Sequence, residues 1–260
     1  MSGRGLAIMR EPRLKLLCSI SRSAVVSTKT KLDGASAKLS LFLLFLCTGV
    51  SAQQTVFNVP SGDVLGRGKV YGELDLTYRP TNASGTLTPR IVVGVGHRIE
   101  TGLNVSGLDA PGSVRTTPTP TVKSKIYDGG SNGWAILLGD DVFLPAQDRA
   151  YAVGNYIYAQ FTKTWKTKSR ATLGAFDFTR HVIASGNRAG GQFAIEQPVG
   201  SRVTAACDWF TGRHAVGYIT PGIVLKVTRQ LTWYGSYQIG NAGVASGNHQ
   251  VLFEVGWNFN

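Results

Sequence analysis

Nine charged residues fall on one face of an alternating pattern: Lys69, Glu73, Asp75, Glu100, Glu196, Arg202, Asp208, Lys226 and Glu254. Charges spaced by two along a strand, with apolar residues on the opposite parity, point to the same side of a sheet. Such a face can do one of two things. It can pair internally and fill a narrow closed sheet, or it can line a polar path for small solutes. Both readings stay open at the level of the residues.

Other candidate chemistry is sparse. Val93-Gly-Val-Gly-His-Arg98 starts like a dinucleotide-binding loop, but Ile99 stands where the third glycine belongs, and a strand reading is preferred. His97, His181, His214 and His249 lie far apart without metal-ligand spacing, which assigns them to turns or the surface. Asp177, His181 and Ser185 recur at intervals of four, yet that spacing in a strand and loop does not bring a triad together. Asp140-Asp141 lacks a histidine partner and reads as a charged pair at a strand end. Cys207 is the lone cysteine after residue 52, so it forms neither a disulfide nor a metal cluster. No catalytic, cofactor or metal set is expected.

The elements that must position the charged face are strands. In Lys69–Tyr78, Val70, Gly72, Leu74, Leu76 and Tyr78 share one parity, against Lys69, Tyr71, Glu73, Asp75 and Thr77. Ile99–Val105, Arg202–Trp209, Leu231–Ile239 and Gln250–Phe259 alternate in the same way. Such segments run to roughly 9–11 residues, the length of a tilted strand that crosses a bilayer. About twelve strands are predicted, at 66–79, 88–97, 99–109, 121–127, 133–144, 150–165, 169–180, 190–198, 201–211, 214–227, 230–240 and 248–259. The connections mostly alternate between short (His97-Arg98, Val199-Gly200, Thr228-Arg229) and long (Pro80–Leu87, Ala110–Pro120, His181–Ala189), as periplasmic turns and extracellular loops do, with a tight turn at Gly212-Arg213 on the outer side as the exception. Trp134, Trp165, Trp209, Trp233 and Trp257, with Tyr78, Tyr151 and Tyr218, fall near strand ends, the place of interfacial aromatic girdles. Hydrocarbon offers no partner to a free sheet edge, so the sheet must close. The expected fold is all-β, a closed antiparallel transmembrane barrel.

Composition agrees. The chain has 32 glycines, 10% aromatic residues and 16% charged residues, with mean hydropathy near zero. A wall that is apolar outside and polar inside averages to neutrality. Residues 1–52 hold eight of the basic residues and two acids, half of the formal charge of +12. Leu39–Val50 is an apolar run too short to span a bilayer as a helix but suited to a signal peptide, and Val50-Ser51-Ala52 provides the small residues that cleavage needs. Three parts follow: a signal peptide with an extended basic region at 1–52, cleaved between Ala52 and Gln53; a short segment at 53–65; and the barrel at 66–260. The remaining positive charge forms no basic stripe with stacking aromatics, which argues against nucleic acid.

The closing segment, with Val251, Phe253, Val255, Trp257 and Phe259 on one parity before Asn260, resembles the C-terminal strand of bacterial outer-membrane barrels. That resemblance implies recognition by the barrel-assembly machinery and residence in outer-membrane lipid. Gly133–Pro145 and Ala194–Phe210 are similar, more loosely, to transporter-like barrels grouped with a meta-pathway phenol-degradation protein. What this implies is passive passage of small solutes without enzyme chemistry. A structural or adhesive barrel with a plugged lumen, a lipid-acting barrel enzyme and a secreted β-sandwich are the alternatives.

Overall fold

The computed structural model describes residues 54–108, 116–144, 146 and 152–259. Ala52 and Gln53, the expected cleavage site, lie outside the described residues, as do residues 1–51, Tyr151 and Asn260.

Twelve strands form one closed antiparallel sheet, each paired with its sequence neighbours. In chain order they are β1 (Val70–Arg79), β2 (Ser84–Gly96), β3 (Ile99–Ser106), β4 (Thr117–Asp128), β5 (Trp134–Phe143), β6 (Gly154–Thr164), β7 (Arg170–Phe178), β8 (Ala189–Pro198), β9 (Val203–Phe210), β10 (Tyr218–Lys226), β11 (Leu231–Gly240) and β12 (His249–Phe259). Closure comes from β1 against β12, in register from Val70↔Phe259 to Tyr78↔Val251. That seam satisfies the two edges an open sheet would leave bare in lipid.

Connections at the end where β1 starts and β12 finishes are compact, including 97–98 and 199–202. Those at the opposite end include 107–116, 144–153 and 179–188. Several boundaries differ from the sequence reading: β1, β6 and β10 begin four residues later than expected and β3 ends three earlier, while two strands begin four residues earlier. Strand β2 begins at Ser84, since Pro80–Asn82 closes the preceding connection as a short 3-10 turn, and β4 begins at Thr117. Pro89, Pro118 and Pro120 mask these strands in sequence, because proline lacks the donor that a strand ladder uses.

The outward parity carries Leu74, Leu76, Ile91, Leu138, Ile157, Leu173, Ile195, Ile223 and Phe253, all exposed. An apolar band of that extent is not tolerated in water and suits lipid. All five tryptophans are exposed; Trp134, Trp165, Trp233 and Trp257 cluster near the compact end, and Trp209 near the other. Tyr218 corrects the expected girdle: its side chain is buried, pointing inward at the start of β10. Cys207 sits on the outward parity beside Trp209, in register with Pro221 and Ile195.

Candidate functional site: a lumen crossed by residues 54–65

The interior is not empty. Residues 54–65, expected as a short lead into the barrel, lie inside it. Val56, Phe57, Val59, Ser61 and Leu65 are buried, and Thr55 bridges Pro60 so that the segment doubles back on itself. Its apolar residues pack on one side of the lumen against Tyr156, Tyr158, Phe176, Phe178, Phe210, Val224 and Leu252. Two glycines make room. A Cβ on Gly94 of β2 would lie 2.1 Å from the Gly66 carbonyl oxygen, and one on Gly222 of β10 would lie 2.5 Å from the Phe57 ring. Larger residues at either position would push the segment off the wall.

The polar interior holds the segment by its backbone. The Asp208 carboxylate accepts the amides of Phe57 (3.0 Å), Asn58 (2.6 Å) and Val59 (2.8 Å), and the Asn58 side-chain amide (3.3 Å). Three successive N–H groups converging on a buried anion form a nest, the usual way a chain clasps a carboxylate. Asn58 also bonds Thr220 and Gln238. Gln160 donates to the Pro60 carbonyl, Lys123 to that of Gln54, and Glu100 accepts the Leu65 amide at 2.7 Å. At the compact end Asp63 meets Arg170, which also holds Glu196. Burial alone would push the Asp63 carboxyl up, but Arg170, helped by Lys125 and Lys123, outweighs it and holds the group below the ordinary carboxylate range.

The nine charged residues separate into two groups. Glu73, Asp75, Glu100, Glu196, Asp208 and Glu254 are buried on the inner face. Lys69 precedes β1, Arg202 precedes β9 and Lys226 ends β10; all three are exposed at the compact end, where Arg202 and Lys226 line the mouth of the lumen rather than its middle. Parity tells which face a residue is on, but at a strand end both faces meet water. Among the described residues, the cations paired with the buried acids are Arg90, Lys123 and Arg170, which the sequence reading did not single out. Arg90 lies 2.6 Å from Asp75 and 3.7 Å from Glu73, and Lys123 lies 2.8 Å from Glu100.

The remaining candidates stay apart. Asp140 accepts the Asn155 side-chain amide, while Asp141 faces the lumen. His181 and Ser185 are exposed in the connection after β7. His214 is the exception among the histidines. It lies in the connection before β10, a turn position as expected, but fully buried there, edge-on to Phe176 and bonded to the Thr211 carbonyl at 2.7 Å. Burial keeps its imidazole below the ordinary value.

A cavity of about 370 Å³ opens between the segment and the long-connection end, lined by Thr77, Thr88, Arg90, Asn104, Asp141, Tyr158, Gln238 and Glu254 among others. A second, of about 350 Å³, lies toward the compact end beside Arg170, Glu196, Arg202 and Lys226. Residues 54–65 stand between them.

A closed twelve-stranded antiparallel barrel with an apolar outer belt and a polar interior is an outer-membrane β-barrel architecture. The comparisons with solved structures agree at the level of fold. A KdgM porin in complex with disordered oligogalacturonate is 11% identical and gives a TM-score of 0.52 over 74% of this chain and 98% of that one. A NanC porin gives 0.51 at 10% identity, over 73% and 99%. The outer membrane phospholipase A from Escherichia coli gives 0.43 at 11% identity, over 81% and 95%, too low to bear on this chain. No family model matches the chain, and no curated protein does at a significant level.

Proposed function

We propose that the chain is a bacterial outer-membrane barrel for the passive passage of small polar solutes, with residues 54–65 as its constriction. The observation that carries this reading is the divided lumen. Two cavities that carry charged and polar side chains on their linings face opposite ends, and a short segment held by hydrogen bonds, an ion pair and apolar packing separates them. The fold likeness to two porins supports it, as does the looser resemblance of Gly133–Pro145 and Ala194–Phe210 to transporter-like barrels. The barrel would sit in outer-membrane lipid, its outward residues Val251, Phe253, Val255, Trp257 and Phe259 on β12 offering the assembly machinery its recognition strand. The interior acids would set the solute's charge preference, since an ion in a narrow pore is poorly screened.

A second reading, a structural barrel permanently closed by its own chain, is favoured by the Asp208 clasp. Planar-bilayer conductance separates the two, comparing the barrel with a variant lacking residues 54–62. The solute-path reading expects a marked rise in conductance on deletion. A truncated barrel that is folded, as judged by heat-modifiable gel migration, and still silent would overturn it in favour of the closed barrel.

A further inference from the structure

The seam between β1 and β12 carries a charge imbalance. Glu73 and Asp75 face inward from β1, and Glu254, the register partner of Asp75, faces inward from β12. One oxygen from each lies within 4.8 Å of the others. Arg90 on β2 sits beside Asp75 and Glu73, and the Tyr71 hydroxyl donates to Glu73. One guanidinium against three carboxylates leaves two negative charges uncompensated.

Glu254 is the decisive member. It is 1% exposed, and among the described residues neither of its carboxylate oxygens has a hydrogen-bond donor. Glu73 Oε1 and Asp75 Oδ1 lack donors as well. A buried carboxylate without a partner is strongly unfavourable in its ionised form, and it must gain a cation or a proton. Two oxygens that share one calcium ion, each ~2.3–2.6 Å from it, stand at most about 5 Å apart, which the observed spacing meets. Asp75, Glu254 and Arg90 all border the cavity toward the long-connection end, so an ion has a route in.

We propose that Glu73, Asp75 and Glu254 form a divalent-cation site, of the hard, oxygen-seeking class typified by calcium, that clasps the first strand to the last. A dication matches the two uncompensated charges, and hard cations select carboxylate oxygens. Arg90 stays on the β2 side of Asp75 and keeps the trio from repelling itself apart when the ion leaves. The site does not depend on whether solute passes the constriction.

The test uses the barrel refolded in detergent free of lipopolysaccharide, stripped with a chelator and titrated with calcium chloride by calorimetry. We expect one saturable site per chain with a Kd of about 10⁻³ M or tighter, the range of extracellular calcium modules, and a melting temperature that rises with calcium. In Glu254→Gln the affinity should fall at least tenfold and the calcium-dependent rise in melting temperature should vanish. Its calcium-free melting temperature should be no lower than that of the parent, because the amide removes an unpaired charge; this shows that the variant folds. Asp140→Asn, on the opposite face of the wall, should bind calcium like the parent. Absence of saturable binding through millimolar calcium overturns the site and means that Glu254 carries a proton. Equal binding by the parent and Glu254→Gln overturns it too.

Discussion

Replacing Asp208 by Asn tests the constriction most directly. The side chain keeps its size but loses its charge and one acceptor oxygen. In the parent it accepts four hydrogen bonds from the segment, at 2.6–3.3 Å. Hydrogen bonds to a charged acceptor contribute about 1.5–3 kcal/mol each, roughly twice the neutral kind. The three backbone amides all converge on Oδ2, where the Asn amide oxygen replaces a charged acceptor by a neutral one, while its NH2 takes the place of Oδ1 and faces the Asn58 side-chain amide, donor against donor. A loss of about 3–5 kcal/mol follows, which raises the fraction of barrels with the segment released by roughly 10²- to 4 × 10³-fold at 1.4 kcal/mol per decade. Val56, Phe57 and Val59 stay buried, at about 1.5–3 kcal/mol each. Asp208→Asn alone should therefore give brief openings, and Asp208→Asn with Phe57→Ala long ones. Single-channel recording reads this. A second readout is thiol labelling of Asn58→Cys in a Cys207→Ala background, slow with Asp208 in place and faster with Asn. If labelling accelerates while both Asp208 variants conduct no more than the parent, the segment moves but does not control a path. If labelling is also unchanged, the clasp contributes far less than these bonds imply.

The apolar belt and the buried histidine give two further expectations. Leu74→Arg, on the outward face in register with Val255, should cost about 2–4 kcal/mol of folding stability in lipid vesicles. Thr88→Arg, which borders the cavity, should cost much less, and equal losses would refute the facing assigned to β1 and β2. His214 has its imidazole held low by burial. Its folded pKa is below its unfolded value, so its neutral form contributes stability that is complete above about pH 6.5 and falls as the pH drops below that. Melting of the parent should fall more steeply between pH 7 and pH 5 than that of His214→Gln; parallel curves would show that the ring is free to take a proton. Asp63, held low, loses its contribution only in a more acidic window, as the pH falls below the ordinary carboxylate range.

Much of this molecule was legible from residue order because a barrel wall is built from local alternation. The period of two in Val70–Tyr78 and Val251–Phe259 told which side chains face lipid, and the need to satisfy every backbone group in hydrocarbon turned a set of strands into a closed sheet. Six acids were placed on the inner face from the same parity. The cations were not. Arg90 follows Pro89, Lys123 lies just before a bulge between Lys125 and Tyr127 that shifts the alternation, and Arg170 opens its strand, so each sits where the pattern is weakest. Lys69, Arg202 and Lys226 obey the parity but sit at strand ends, since alternation carries no information about height along the barrel axis.

Residues 54–65 show the sharper limit. Gln54–Leu65 has no strand period and no chemistry of its own, and nothing in its order says that it belongs inside. That was decided by the lumen: an aromatic wall from β6, β7 and β9, glycines at 94 and 222 where the backbone or a ring must come close, and an Asp208 carboxylate short of donors until the segment supplies them. Likewise Glu73 and Glu254 are 181 positions apart in the chain, and only closure of β1 on β12 makes them neighbours. Sequence determined the wall and its two faces through short-range periodicity. What fills the wall, and which charges meet across it, depended on long-range contacts that exist only once the sheet has closed.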